Sequence, residues 1–233
     1  MIFNAFVDVI YYINLDSRPD RRALFEARVM KAGIDQVIRF PAIHMDAAQV
    51  DAIPGLVKHE GDVNRHQKVS SCLSHYNVVK EAKERNYKAV AIFEDDAVFC
   101  EGFAEKIGPY MDELNGMTDW DIAWLGCSPE PDFHDKSEKC IQISDRWYLN
   151  SGACWCIHAY IIHSRFYDKI LATNPFHIYP WDLNLIHYAP KNRRYLISKE
   201  ILVTQDETSI SDVFGQLMPR NYIFKQYYEK YVK

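Results

Sequence analysis

The chain has 233 residues, 48% of them hydrophobic, and a formal net charge of −5. That length and apolar fraction suit one folded domain with a sizeable core, and exclude a disordered, collagen-like or membrane-spanning chain. A mild acidic excess spread along the sequence argues against binding nucleic acid through a basic surface.

In chain order, "VDVIYYINL" (7–15) is apolar and β-branched and reads as a buried strand. The leading stretch lacks a basic leader and a small-residue cleavage site, so it reads as a strand and the chain as cytoplasmic. "SRPDRRALFEARVMKAGI" follows as a helix, with Pro19 near its start, Gly33 beyond its end, and Ala23, Ala27 and Met30 as its inner face. "QVIRFPAI" is a second strand, and residues 45–66 read as a loop with a short helix. "QKVSSCLSHYNVVKEAKERN" is the clearest helix, with a stripe of Val69, Cys72, Leu73, Tyr76 and Val79. "KAVAIF" is a strand, "GFAEKIGPYMDELN" a helix that Pro109 kinks or splits, and "DIAWLG" a strand. Residues 128–140 are polar and loop-like. "CIQIS", "RWYL" and "ACWCIHAYII" read as strands, "SRFYDKILATN" and "WDLNLIHYA" as helices, and "RYLISK" and "ILVTQ" as extended. "NYIFKQYYEKYVK" is a terminal helix. This alternation predicts an α/β fold with a mainly parallel sheet in the first half and a more mixed second half. The six cysteines form no CxxC pair and read as reduced structural thiols, Cys154 and Cys156 as alternating strand positions. No apolar run reaches the roughly 18 residues of a spanning helix.

Chemistry concentrates in "AVAIFEDDAVF" (89–99), where an apolar strand ends in Glu94, Asp95 and Asp96. In open α/β sheets the ligand crevice lies beyond the carboxyl ends of the strands. Adjacent carboxylates at 4 Å repel by about 4 kcal/mol at an effective dielectric of 20. A hard divalent cation, Mn²⁺ or Mg²⁺, removes that repulsion and keeps positions open for phosphate oxygens.

"YYINLDSRPDRR" (11–22), "SCLSHYNVVKEA" (71–82) and the EDD strand occur in this order, followed by "DWDIAWLG" (119–126) and "VTQDETSISDV" (203–213). Together they resemble glycosyltransferase family 25, which includes bacterial lipopolysaccharide galactosyltransferases and procollagen galactosyltransferases. The resemblance implies a GT-A-like (Rossmann-like) single domain: a nucleotide-sugar half over 1–126, an acceptor half over 127–215, and a tail or helix over 216–233. It also implies a UDP-sugar donor, galactose or glucose, transferred with inversion to a glycan, lipopolysaccharide or protein hydroxylysine.

On that reading Asp96 is the first metal ligand and Asp95 the second, and Glu94 contacts the donor's ribose or sugar. Asn14 is a candidate for the uracil or ribose. Arg18, Arg21 and Arg22 suit the diphosphate, because a guanidinium presents a fork of donors. Ser74 and His75 lie beside the stripe of the long helix, and His75 supports the metal motif, contacts donor phosphate or is structural. Asp182 is the candidate base or sugar ligand, with Trp181 stacked on a sugar or simply packed. His177 and His187 are further metal candidates. Gln205 and Asp206 are candidates for the pocket lining, and Asp119 and Asp121 read as turn residues. Two rivals use the same residues: a non-catalytic nucleotide-sugar or glycan-binding module, and a metal-dependent nucleotidyltransferase or phosphohydrolase.

Overall fold

The structure, a computed structural model, describes residues 3–56, 62, 64–130, 140–150, 153–173, 181–187, 192–217 and 221–232. In chain order the elements are β1 (Val9–Asn14), α1 (Pro19–Lys31), β2 (Ile38–Pro41), α2 (Ala47–Asp51), α3 (Arg65–Glu84), β3 (Ala89–Glu94), β4 (Ala97–Phe99) and α4 (Phe103–Gly116). They continue with β5 (Ile122–Trp124), β6 (Ser128–Glu130), β7 (Ile141–Gln142), β8 (Trp147–Asn150), β9 (Ala153–Trp155), β10 (Ala159–His163), α5 (Ser164–Leu171) and α6 (Trp181–His187). The last are β11 (Tyr195–Ser198), β12 (Val203–Gln205) and α7 (Asn221–Tyr227), which runs into a π-helical turn at Tyr228–Val232. No helix among the described residues is long and apolar enough to cross a membrane.

One sheet carries eight strands in the order β2-β1-β3-β10-β5-β11-β8-β7. β1 pairs in parallel with β2 and β3, β5 pairs in parallel with β11, and β10 runs antiparallel between β3 and β5. Six of the eight strands therefore point the same way, with β10 and β8 reversed. Alternate residues of the central strands feed two cores, as the two-residue period requires. Val90 and Ile92 of β3 join Val69, Cys72 and Val79 of α3 on one face. Ala91 and Phe93 join Phe25, Val29, Ile107 and Met111 of α1 and α4 on the other.

Helix α1 turns a different face inward from the one its alanines suggest. Arg21, Phe25 and Val29 are buried, whereas Ala23, Ala27 and Met30 are exposed, Met30 by 75%. Bulk decides this: fully burying a Phe or Val side chain is worth about 1.5–3 kcal/mol, well above an alanine. Arg21 shares that buried face, and this brings it to the rim of the sheet. In α4, Pro109 sits inside a single continuous helix. The "ACWCIHAYII" stretch divides into β9 and β10, because Cys156 takes φ +69° and turns the chain between them. Sequence pattern also misses β4, paired with β12, and β6, paired with β9.

Gly126, at the end of the β5 segment, marks a close approach. A Cβ there would lie 1.9 Å from the carbonyl oxygen of Val203. Gly126→Ala must push apart two backbone segments that join the β5 and β12 regions. Overpacking of this kind costs about 1–3 kcal/mol. For a chain of this size the thermal midpoint is expected to fall by roughly 2–12 °C, measured by differential scanning calorimetry; an unchanged midpoint would show that the strands separate freely.

Candidate active site

Because β1 and β3 are parallel, Asn14 and Glu94 end at the same rim of the sheet. β10 is reversed, so the residues before its start, Trp155, Cys156 and Ile157, reach that rim too. A cleft of about 580 Å³ opens there. Its lining includes Asn14, Arg21, Ser74, His75, Glu94, Asp95, Asp96, Asp182, Gln205 and Asp206. Residues from both halves of the sequence thus meet in one concavity, at the place where α/β sheets bind ligands.

The three acids of the turn are held differently. Asp95 uses both oxygens: Asn14 Nδ2 donates to Oδ2 at 2.6 Å, and Arg21 lies 2.5 Å from Oδ1. Asn14 is itself fixed by Arg39, whose Nε donates to Asn14 Oδ1 at 2.9 Å. Glu94 lies 3.4 Å from His75 Nε2, and the His75 ring bonds the Tyr160 hydroxyl at 3.0 Å through Nδ1. Asp96 Oδ2 has two long contacts, to Arg21 and to Gln205 Nε2, each at 3.4 Å. Asp96 Oδ1 is buried with no hydrogen-bond partner.

The electrostatics follow from this arrangement. Burial, and then the neighbouring Glu94 carboxylate, push the Asp96 carboxyl up to about 7. Burial raises Asp95 as well, against the pull of Arg21. Glu94 is held below its ordinary range: burial opposes its charge, and the hydrogen bond from His75 overrides burial.

These features fit a hard divalent cation. Such an ion takes oxygen donors, and an unpartnered buried carboxylate oxygen is one. Among the described residues no group of three His, Cys, Asp or Glu side chains is arranged to hold a metal. An ion here would rest on one or two carboxylates and complete its shell with water and phosphate oxygens, as Mg²⁺-type sites do. Asp96 is the better donor, since both Asp95 oxygens are engaged.

The arginines divide. Arg22 is exposed and pairs with Glu26 one turn along α1, so it does not reach the cleft. Arg18 and Arg21 both bind Asp212, at 2.6 and 2.9 Å. Asp212 lies in the quoted "SISDV" segment, yet its partners are nearly two hundred residues away and no local pattern announces them. Ser74 turns its hydroxyl to the backbone: it accepts from Ile43 N at 2.9 Å and donates to Ser70 O at 2.7 Å. That fixes the strand-to-helix loop at the cleft wall.

Asp182, in the first turn of α6, accepts from Leu183 N at 2.9 Å and from Cys156 N at 3.3 Å. Trp181 is fully buried, its ring 6.2 Å from His75 and nearly parallel to it, so it packs and is not open to a sugar. His177 and the His187 side chain lie outside the described residues. Asp121 is no turn residue: it is fully buried, accepts from Arg194 N at 2.8 Å and pairs with Arg165 at 3.2 Å, far from this cleft along the sheet.

Gln205 and Asp206 arrive through the β4–β12 ribbon, which places Gln205 opposite Ala97. Burial opposes the Asp206 charge, but the Thr208 hydroxyl and the Arg28 guanidinium prevail and hold the carboxyl at about 2. A carboxyl depressed on folding stabilises the fold above its unfolded value, near 4. That contribution is lost as pH falls through about 2. The midpoint gap between the wild-type chain and Asp206→Asn is therefore expected to be full at pH 5 and to close progressively below pH 4, read by circular dichroism melts. A gap that persists at pH 2 would contradict the ion pair.

Fold and acid-lined cleft together define an α/β domain with a ligand site beyond the carboxyl ends of its strands. The model of glycosyltransferase family 25 (LPS biosynthesis protein) matches residues 7–185, and the chain belongs to that family. It is 25% identical over 238 aligned residues to procollagen galactosyltransferase 1-A of Xenopus laevis, covering 92% of this chain and 34% of that protein. It is 26% identical to the inactive glycosyltransferase 25 family member 3 of Mus musculus, over 73% of this chain and 30% of that one. The chain thus spans about a third of the length of these curated relatives. Among solved structures, a glycosyltransferase involved in glycosylation of the major capsid of PBCV-1 aligns with TM-score 0.41 and 8% identity, over 81% of each chain. Apo UDP-glucose pyrophosphorylase aligns with TM-score 0.42 and 10% identity, over 95% of this chain and 82% of that one.

Proposed function

We propose that this chain is the catalytic domain of an inverting, metal-dependent hexosyltransferase that moves galactose or glucose from a UDP-sugar to an acceptor hydroxyl. The observation that carries the reading is the convergence in the lining of one cleft of Asp96, with a buried unpartnered oxygen, and Asp182. Asp96 would hold Mn²⁺ or Mg²⁺, which when bound supplies positive charge to the departing diphosphate. Asn14 and Arg21 fix Asp95 and so hold in place the acid turn that carries Asp96 into the cleft lining. Glu94, kept ionised by His75, is placed to accept hydrogen bonds from ribose or sugar hydroxyls.

Asp182 takes the proton of the attacking hydroxyl. Its two backbone donors, Leu183 N and Cys156 N, orient the carboxylate toward the cleft. Inversion needs the acceptor on the face of the sugar opposite the diphosphate, so on this reading the sugar lies between the two acids. A glycan, lipopolysaccharide or protein hydroxylysine acceptor belongs to the same proposal.

The test is a panel of UDP-sugars with Mn²⁺ and candidate acceptors, read as UDP release. Turnover with UDP-galactose or UDP-glucose is expected; no transfer or donor hydrolysis by folded protein would overturn the proposal. A second reading, a nucleotide-sugar-binding module without turnover, is favoured by the presence of a relative named as inactive. Tight Mn²⁺-dependent UDP binding without transfer would select it.

A further inference from the structure

We infer that Arg21 makes divalent-cation binding at the acid turn conditional on the nucleoside diphosphate; this rests on the proposed donor site and concerns how that site is loaded. The Arg21 side chain is buried, 7% of the residue being exposed, on the inner face of α1 beside Phe25 and Val29. Its guanidinium touches three carboxylates: Asp95 at 2.5 Å, Asp96 at 3.4 Å and Asp212 at 2.9 Å. The expectation that Arg21 grips phosphate therefore meets a group whose two amino nitrogens already face acids, while its buried Nε has no hydrogen-bond partner.

A resident cation on the carboxylates that a metal would use must oppose that metal. Like charges repel strongly in a poorly solvated cleft. Arg21 has no open route away, because its helix face is packed and Asp212 holds its second amino group. The charges do not cancel, however. Immediately around Arg21, the carboxylates of Glu94, Asp95, Asp96 and Asp212 face the guanidinium groups of Arg21 and Arg18, and Arg18 is shared with Asp20; Asp182, Asp206 and Lys68 also line the cleft. Asp96 Oδ1 is still without a partner. The turn thus keeps negative charge that a cation would offset, but Arg21 already sits on its acids and the protein ligands are too few to hold a bare ion well. A diphosphate adds the missing oxygen donors, and its negative charge offsets the repulsion between Arg21 and the ion. Cation and nucleotide then favour each other, and by linkage equally in both directions. Asp95 and Arg21 act as positioning residues in this scheme, and Asp96 is the group that touches the ion.

The experiment measures Mn²⁺ affinity by electron paramagnetic resonance, with and without saturating UDP, for the wild-type chain, Arg21→Gln and Arg21→Lys. The wild-type chain is expected to bind Mn²⁺ roughly 30–100-fold more tightly with UDP than alone. Arg21→Gln is expected to bind Mn²⁺ alone about tenfold more tightly than wild type, with a correspondingly smaller effect of UDP. Arg21→Lys, which keeps the charge, is expected to stay near wild type. Unchanged or weaker Mn²⁺ binding by folded Arg21→Gln overturns the inference, as does tightening in Arg21→Lys equal to that in Arg21→Gln. Should Arg21→Gln not fold, the wild-type pair of measurements decides: equal affinity with and without UDP overturns it. A wild-type chain that binds neither Mn²⁺ nor UDP removes the donor-site reading as well; one that binds both while Arg21→Gln gains nothing removes this inference alone.

Discussion

Asp96→Asn is expected to lower transfer by roughly 10²–10³-fold, the scale of losing one group that stabilises developing charge, while leaving the thermal midpoint at or slightly above wild type. The reason lies in the state of the carboxyl. Burial and Glu94 raise it to about 7, so folding stability is lost progressively as pH rises from the unfolded value near 4 to about 7, and the full cost is present above that. Asparagine removes that charge with little change of shape. Asp95→Ala is expected to do the opposite. It deletes the partner of a buried guanidinium and of Asn14, and breaking such a pair costs about 3 kcal/mol or more. The midpoint should fall by roughly 6–12 °C, even though the residue is the immediate neighbour of Asp96. Initial rates of UDP release and scanning calorimetry on both variants separate the roles. Full activity in Asp96→Asn, or a wild-type midpoint in Asp95→Ala, would reverse the assignment.

The second large effect concerns Asp182. Asp182→Asn is expected to reduce kcat by roughly 10²–10⁴-fold, the usual contribution of a positioned base, with UDP affinity changed less than about twofold. The amide oxygen can still accept from Leu183 N and Cys156 N, so the local structure survives. Single-turnover rates together with calorimetric titration of UDP check this. A variant that turns over normally would remove Asp182 from proton transfer. A parallel loss of UDP affinity would move it to the donor side.

How much of this was legible in the sequence depended on how local the governing physics is. β1, β3 and α3 were plain, because long apolar runs and a helical stripe report their own burial. The acid turn was legible as a site because three charges directly follow a fully apolar strand. What those charges meet was not. Asp95 depends on Asn14 and Arg21, which lie more than seventy residues earlier, and nothing in the spacing separates a phosphate-binding arginine from one that braces acids. The inner face of α1 differs from the one its alanine spacing points to, because the bulk of Phe25 and Val29 outweighs that spacing. Asp121 looked like a turn residue for a similar reason: its partners Arg165 and Arg194 come from later elements. The break at Cys156 was hidden, because a left-handed backbone at a non-glycine residue leaves no trace in composition. It matters to the site, since that break presents the Cys156 amide to Asp182.

The reversed strand β10, lodged between β3 and β5, also bears on how the chain can be cut. A fragment ending near residue 126 would retain the acid turn but lose the strand that β3 and β5 both lean on. It would leave two raw sheet edges in the middle of its own interior. The portions before and after residue 126 are therefore not interchangeable cassettes. Chimaeras between relatives should be joined outside this shared strand, or both portions should be taken from one parent.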